Sequence, residues 1–196
     1  MGVTSYQLGG NGEMRRKEFI DFILNSISEK FDIYHNYRFH GHKFVIYAYC
    51  YNHNNKFETT VDAKPWEAKS FEHLFFLNCD TVDESKIEEL KNFTINEIEP
   101  HFVRGDGKSP VKRHLYTLIS FVIITRNKPS ENVQKLIEDT NWTKNYMLSA
   151  KGFTNMRLVC VTPKEYSVIS NKSGNVIAEF LRNILLHIEH YEDDVQ

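Results

Sequence analysis

The sequence predicts an α+β protein with a mixed, mainly antiparallel sheet and helices packed on it, in the order α-β-β-β-α-β-α-β-β-α. Three observations support this class. Short segments with alternating apolar side chains, typical of strands, occur in both halves of the chain. Segments with apolar residues three and four positions apart, typical of amphipathic helices, separate them. Early strands follow each other through hairpins and later strands follow helices, which favours α+β.

The first half is predicted to form a helix, a strand hairpin, a further strand and a second helix. Helical spacing of Phe19, Ile20, Ile23 and Ile27 predicts a helix over residues 15–30. Strands are predicted over residues 31–39, 43–51 and about 67–78, with a turn at 52–55 and a returning strand at 56–61. Thr81–Glu84 match a capping box, which predicts a helix over residues 82–99 that ends near Pro100.

Alternation within residues 43–51 assigns side chains to the two faces of the second strand. It places Phe44, Ile46, Ala48 and Cys50 on one face and Val45, Tyr47, Tyr49 and Tyr51 on the other.

The second half contains the most continuous apolar segment of the chain, His114–Thr125, which predicts a central strand buried on both faces. Ser130 is the expected N-cap of a short helix over residues 131–139. Strands are predicted over residues 146–150, 156–161 and 166–170, the last two paired with each other. Apolar residues from Val176 to Ile188 repeat at helical spacing and predict a terminal helix.

Composition excludes several classes of protein. The net charge of −2 gives no support to a dedicated duplex-DNA binder, which is usually basic. Three dispersed cysteines predict buried free thiols and no disulfide framework, and no segment is apolar enough for a membrane span. Residues 1–13 are interpreted as a flexible leader without a signal peptide, followed by one domain over residues 14–196. We expect a cytoplasmic protein without a membrane partner, and the sequence allows an oligomer.

Several short motifs resemble a family of uncharacterised proteins from archaea and anaerobic bacteria. They are Gly152-Phe153, Arg157-Leu158-Val159 with Val161, and Asn171-Lys172 with Gly174. The aromatic hairpin followed by a strand with Glu72-His73 is also similar, so the resemblance spans most of residues 15–180. It implies a layout and no catalytic residues. Relatives are expected to have an acidic residue where this chain has Phe44 or Val45.

Glu67-x-Lys69 is the first candidate for catalysis. Restriction-endonuclease-like nucleases place a carboxylate and a lysine two residues apart on a strand, where the carboxylate holds Mg²⁺ and the lysine orients the attacking water. Asp62 is the nearest candidate for the second carboxylate. The same pattern also fits a solvated strand surface, and no cofactor other than this Mg²⁺ is predicted.

Candidate binding residues are concentrated in two segments. Glu72 and His73 directly precede an apolar strand segment, and the loop at 104–113 contains Arg104, Lys108, Lys112 and Arg113; Arg157 joins them from the family-like segment. The loop cannot be a phosphate loop, because it lacks the first glycine and follows a helix. Two interpretations stay open: a polar surface loop, or a site for an anionic partner.

Histidines and tyrosines provide the remaining candidates. His40-x-His42 would bind a metal only with further ligands, and exposed turn histidines are the preferred interpretation, so no metal site is predicted. Tyr47, Tyr49 and Tyr51 could stack single-stranded bases, but we expect the terminal helix to cover them. The sequence therefore favours a binding or interaction module without a catalytic site, and a Mg²⁺-dependent nuclease is the alternative.

Overall fold

A computed structural model describes residues 11–54, 68–148 and 150–193, which form a seven-stranded sheet between two layers of helices. The strands are β1 (Asp32–Phe39), β2 (His42–Asn54), β3 (Ala68–Cys79), β4 (His114–Thr125), β5 (Thr143–Asn145), β6 (Phe153–Thr162) and β7 (Ser167–Ser170). The α-helices are α1 (Asn11–Ile27), α2 (Glu84–Phe93), α3 (Glu131–Asp139) and α4 (Asn175–Asp193). A π-helix spans Thr94–Val103, and 3₁₀ turns span Pro163–Glu165 and Lys172–Gly174. The predicted α+β class is confirmed.

The central position of β4 is also confirmed. The strand order is β1-β2-β3-β4-β6-β5, and β7 pairs with the free part of β6. β4 is parallel to both neighbours, whereas the other pairs in the described sheet are antiparallel. Phe121, Val122 and Ile123 at the middle of β4 are fully buried, because helices cover the sheet on both faces.

The two helical layers contact alternate residues of the strands. On one face, α2, the π-helix and α3 pack against Tyr47, Phe75, Phe121 and Leu158; we call this the α2 face. On the other, α1 and α4 pack against Leu74, Val122 and Val159; we call this the α4 face. The prediction that the terminal helix covers the tyrosines is wrong, since α4 packs on the face opposite Tyr47.

The face assignment predicted for β2 is wrong at Phe44, which lies on the α2 face, and at Val45, which packs on the α4 face. Tyr34 pairs with Tyr47 and Tyr37 pairs with Phe44, and all four side chains contribute to the α2 face. Tyr34 and Tyr37 are three residues apart on β1, as are Phe44 and Tyr47 on β2. Strict alternation would place them on opposite faces. Asn36 between the two pairs has φ 52°, and this left-handed residue rotates the hairpin so that Phe44 joins the tyrosines.

Several predicted boundaries also differ. β2 continues through Asn54 and pairs with β3, so the turn does not begin at Asn52; the returning strand at 56–61 lies outside the described residues. The cap of α2 is Asp83, whose carboxylate accepts from the Lys86 N–H at 2.9 Å, rather than Thr81. The strand predicted at 146–150 lies at Thr143–Asn145 instead. Of the predicted leader, residues 1–10 lie outside the described residues and 11–13 belong to α1.

The helical segment also continues past Pro100, where the sequence predicts its end. Pro100 lies inside the π-helix, and Phe102 and Val103 form the last positions of that helix. A proline ring collides with the carbonyl oxygen four residues earlier in an α-helix. The wider π turn avoids this collision, so the chain stays helical for ten residues after α2.

Asn171 joins β6, β7 and α3. Its side chain is 1% exposed, and its Oδ1 accepts from the N–H groups of Leu158 and Gly174 at 3.0 and 2.9 Å. Its Nδ2 donates to the carbonyl oxygens of Thr140 and Met156 at 2.9 and 3.1 Å. A Cβ at Gly174 would lie 2.9 Å from Asn171 Oδ1, so this position requires glycine.

We expect Asn171→Ala to lower the free energy of unfolding by about 3 kcal/mol, since it leaves several buried backbone groups unpaired. Urea denaturation measures this loss. Asn155→Ala is the matched control, because Asn155 makes one exposed hydrogen bond to Thr143; it should cost less than about 1 kcal/mol. Equal losses for both variants would contradict the assigned role of Asn171.

Candidate functional site

An aromatic cavity of about 430 Å³ opens on the α2 face of the sheet. Its walls come from β1, β2, β3, the end of the π-helix and the following loop. The lining residues are Tyr34, Tyr37, Tyr47, Tyr49, Phe71, His73, Phe102, Val103 and Val111. Most of these groups are aromatic or aliphatic, and none of the lining residues that the structure describes carries a formal charge when His73 is neutral.

Three stacked tyrosines form one wall. The Tyr37 and Tyr47 rings are 4.5 Å apart at 27°, and the Tyr34 and Tyr47 rings are 5.6 Å apart at the same angle. Near-parallel stacking at these distances is favourable for aromatic pairs. Tyr47 is buried, whereas Tyr34 is 48% exposed, so the stack runs from the core to the solvent.

His73 lies at the base of the cavity and is only 2% exposed. Its Nδ1 is 2.8 Å from the Tyr47 hydroxyl oxygen, and the two rings are nearly parallel at 13°. Its Nε2 is buried and has no hydrogen-bond partner among the residues that the structure describes. Burial lowers the pKa of His73 from 6.5 to about 3, so the imidazole is neutral at physiological pH.

The π-helix forms the roof of the cavity through Phe102. The Phe102 ring contacts His73 at 5.1 Å and Tyr47 at 5.9 Å between ring centroids. Phe102 and Val103 occupy these positions because the helix continues past Pro100.

A buried carboxylate holds the π-helix in place. Glu99 is fully buried and accepts hydrogen bonds from Arg104 Nε at 2.9 Å, Lys144 Nζ at 2.9 Å and the Tyr146 hydroxyl at 2.7 Å. Burial by itself would raise the pKa of Glu99, but these three donors outweigh it and lower the pKa. Glu99 therefore ties the roof helix to the segment around β5.

His114 shows how a buried histidine is normally satisfied in this fold. Its Nδ1 is 3.0 Å from the Lys151 carbonyl oxygen and must donate to it, because a carbonyl can only accept. Its Nε2 then accepts from the Thr117 hydroxyl at 2.8 Å. Burial lowers the pKa of His114, and the neutral ring uses both nitrogens. By contrast, the described residues provide a hydrogen-bond partner for only one of the two nitrogens of His73.

The predicted binding residues do not form one site. His73 faces the cavity, while Glu72 points to the α4 face, where its carboxylate is 3.5 Å from Arg157 Nη1. Arg104 is committed to Glu99, and its Nη1 also donates to the Gly107 carbonyl. Lys108 and Arg113 lie on the exposed surface of the loop, where the Arg113 carbonyl accepts from the Lys69 N–H at 3.0 Å.

The predicted catalytic residues are only partly described. Lys69 is half-buried near the start of β3, whereas Asp62 and Glu67 lie outside the described residues. The nuclease interpretation therefore stays a prediction.

The histidines at the β1–β2 turn bind carboxylates. His40 Nδ1 is 2.5 Å from Glu97 Oε2, and His42 Nδ1 is 3.2 Å from Glu89 Oε1. Within the described ranges, no three histidine, cysteine or acidic side chains are arranged to hold a metal ion. These pairs instead connect the hairpin to α2 and the π-helix.

Sequence reasoning missed Phe71, Phe102, Val103 and Val111 as cavity residues. A signal was present for Phe102. Ile98 and Phe102 are four residues apart, the spacing of one helical face, and this spacing continues across Pro100. Val111 had no such signal, because its place at the cavity depends on the path of the loop.

Comparisons with known proteins return one family. A family model described as a domain of unknown function, DUF8052, matches residues 15–183. No curated protein and no solved structure matches the chain.

The lowered pKa of His73 predicts a specific loss of stability in acid. Between pH 6.5 and about 3 the unfolded chain binds a proton at His73 that the folded chain does not. The free energy of unfolding should therefore fall as the pH drops through this window, by about 1.4 kcal/mol per pH unit from this group. Urea denaturation of wild type and His73→Phe at several pH values isolates the contribution. Parallel pH profiles for the two proteins would show that His73 has an ordinary pKa when folded.

Proposed function

The chain belongs to the family of unknown function DUF8052, and from its geometry we propose that it is a binding module for a small, flat organic molecule in the aromatic cavity. The observation that supports this most is His73, which lines this apolar cavity and whose buried Nε2 has no hydrogen-bond partner among the described residues. A buried polar atom without a partner is costly, and a bound ligand would remove that cost.

The size and lining of the cavity suit such a ligand. Small-molecule sites are concave, mostly apolar and contain a few placed polar groups, with volumes of roughly 300–1,000 Å³. A cavity of about 430 Å³ falls at the lower end of this range and is suited to a bicyclic ring system. Flat aromatic ligands gain most from the stacked wall of Tyr34, Tyr37 and Tyr47.

We further infer that the protein acts in the cytoplasm. Cys50, Cys79 and Cys160 are all free, and unpaired thiols are typical of a reducing compartment. Among the described residues, no helix combines the length and apolar character needed to cross a membrane.

Closing the mouth of the cavity should abolish binding. Val111 lines the cavity and is 49% exposed, so Val111→Trp adds bulk at the opening with little strain on the core. We expect isoquinoline to bind wild type and to bind Val111→Trp at least about tenfold more weakly, a loss of about 1.4 kcal/mol. Isothermal titration calorimetry measures both affinities.

The matched control is Val176→Trp. Val176 is 68% exposed at the start of α4, remote from the lining residues of the cavity. This variant should bind isoquinoline as wild type does. Equal binding of isoquinoline to both tryptophan variants would refute the cavity as the binding site.

A Mg²⁺-dependent nuclease is the second candidate, and one observation favours it. The order α1-β1-β2-β3-α2-β4 matches the order that surrounds a Glu-x-Lys motif in restriction-endonuclease-like enzymes, with Lys69 near the start of β3. Under this proposal, Mg²⁺ would bind Asp62 and Glu67, and Lys69 would orient the attacking water.

The nuclease proposal predicts cleavage of DNA that requires Mg²⁺ and Lys69. Incubation of wild type with duplex and single-stranded DNA should yield fragments with Mg²⁺ and none with EDTA. Lys69→Ala should lower the rate at least about a hundredfold, in line with the loss of a group that acts on the transition state. Lys108→Ala, which alters an exposed loop residue, should cleave as wild type does. Cleavage unaffected by Lys69→Ala would assign the activity to a contaminant or another site.

A further inference from the structure

We propose that the ligand of the aromatic cavity is uncharged and carries a hydrogen-bond acceptor, a carbonyl oxygen or a ring nitrogen, which binds the Nε2–H of His73. This inference rests on the proposed binding function and adds the chemical class of the ligand. It follows from the tautomer of His73 and from the absence of formal charge among the lining residues.

The first step is the protonation state of the ring. A neutral imidazole has one N–H donor and one acceptor nitrogen. His73 is 2% exposed between Tyr47, Tyr49 and Phe102, and none of the described residues that it contacts is a carboxylate that could stabilise a second proton. The ring is therefore neutral, and the remaining question is which nitrogen carries the hydrogen.

The contact with Tyr47 decides the tautomer. The Tyr47 hydroxyl oxygen and His73 Nδ1 are 2.8 Å apart, a normal hydrogen-bond distance. A phenol is a better donor than a neutral imidazole N–H, and an imidazole nitrogen is a better acceptor than a phenol oxygen. The hydroxyl therefore donates to Nδ1, and the ring hydrogen must lie on Nε2.

The Nε2–H group is then an unsatisfied hydrogen-bond donor among the described residues. It is buried, and these residues provide no acceptor for it. His73 pairs with Ile119 on the neighbouring strand β4, and His114 lies five residues before Ile119 on that strand. Both ring nitrogens of His114 form hydrogen bonds within the protein. A ligand acceptor at Nε2 would complete His73 in the same way.

The donor also selects against charged ligands. Aromatic walls by themselves favour a cation through the ring faces. A cation next to Nε2–H would meet the positive end of that bond. The hydrogen also stays on Nε2, because Nδ1 already accepts the hydrogen bond from the Tyr47 hydroxyl, so Nε2 offers a cation no lone pair. An anion would lose its hydration without compensation, since the described lining residues include no arginine or lysine.

Three probes of nearly the same shape separate these cases. Naphthalene has no acceptor, isoquinoline has one ring nitrogen, and N-methylisoquinolinium places a fixed positive charge at that nitrogen. Calorimetric titration of the wild-type protein in mildly alkaline buffer keeps isoquinoline neutral. We expect isoquinoline to bind about tenfold more tightly than naphthalene, the value of one added hydrogen bond, and N-methylisoquinolinium to bind more weakly than both.

The outcomes distinguish this inference from the proposed function. Binding of naphthalene and isoquinoline with equal affinity would keep the binding site and overturn the acceptor requirement. Tightest binding of N-methylisoquinolinium would also overturn it, and would identify a cation site. Failure of all three to bind would overturn the proposed function itself.

His73→Phe provides the matched variant, because phenylalanine keeps the ring and removes both nitrogens. It should lose the roughly tenfold preference for isoquinoline over naphthalene. If this variant does not fold, long-range ¹H–¹⁵N NMR of the wild-type protein tests the tautomer directly. Hydrogen on Nε2 is the expected result. Hydrogen on Nδ1 would overturn the inference, because Nε2 would then be an acceptor and would require a ligand with a hydrogen-bond donor.

Discussion

A sheet covered by helices on both faces imposes one constraint on every polar group within it, which is that each buried donor or acceptor must find a partner inside the protein. Glu99 meets this constraint with three donors and Asn171 with four backbone groups. Among the described residues, Arg16, His73 and Ser120 each keep a buried polar atom without a hydrogen-bond partner. Of these three, only His73 lines the aromatic cavity, and this distinguishes it as the candidate for ligand contact.

The cavity exists because two local irregularities act together. The left-handed conformation of Asn36 rotates the hairpin and brings Tyr37 and Phe44 onto the face that holds Tyr34 and Tyr47. The π-helix continues through Pro100 and places Phe102 above them. Glu99 then stabilises the π-helix through a network with Lys144 and Tyr146. Long π-helices are rare and frequently occur at functional sites, which agrees with the roof role of this one.

Strong local patterns were sufficient for much of the fold. The continuous apolar segment of β4 identified the central strand, and Ser130 identified the start of α3, because both signals depend on neighbouring residues alone. Prediction failed where a single residue changed the geometry of a longer segment. Strict alternation could not anticipate Asn36, and the rule that proline ends a helix could not anticipate a π turn. The predicted binding residues Glu72 and His73 are neighbours in sequence, yet they point to opposite faces of β3.

Apolar periodicity was enough to establish the α+β class, the central strand and the burial of Cys50 and Cys160, because it reports directly which side chains leave water. The position of α4 on the face opposite the tyrosines, and the contact of His73 with Tyr47, became visible only in the folded chain. Periodicity shows that a face is apolar, but it does not say which helix will cover it. That choice depends on long-range packing, and here it places α4 on the face opposite the aromatic cavity, where His73 Nε2 has no hydrogen-bond partner among the described residues.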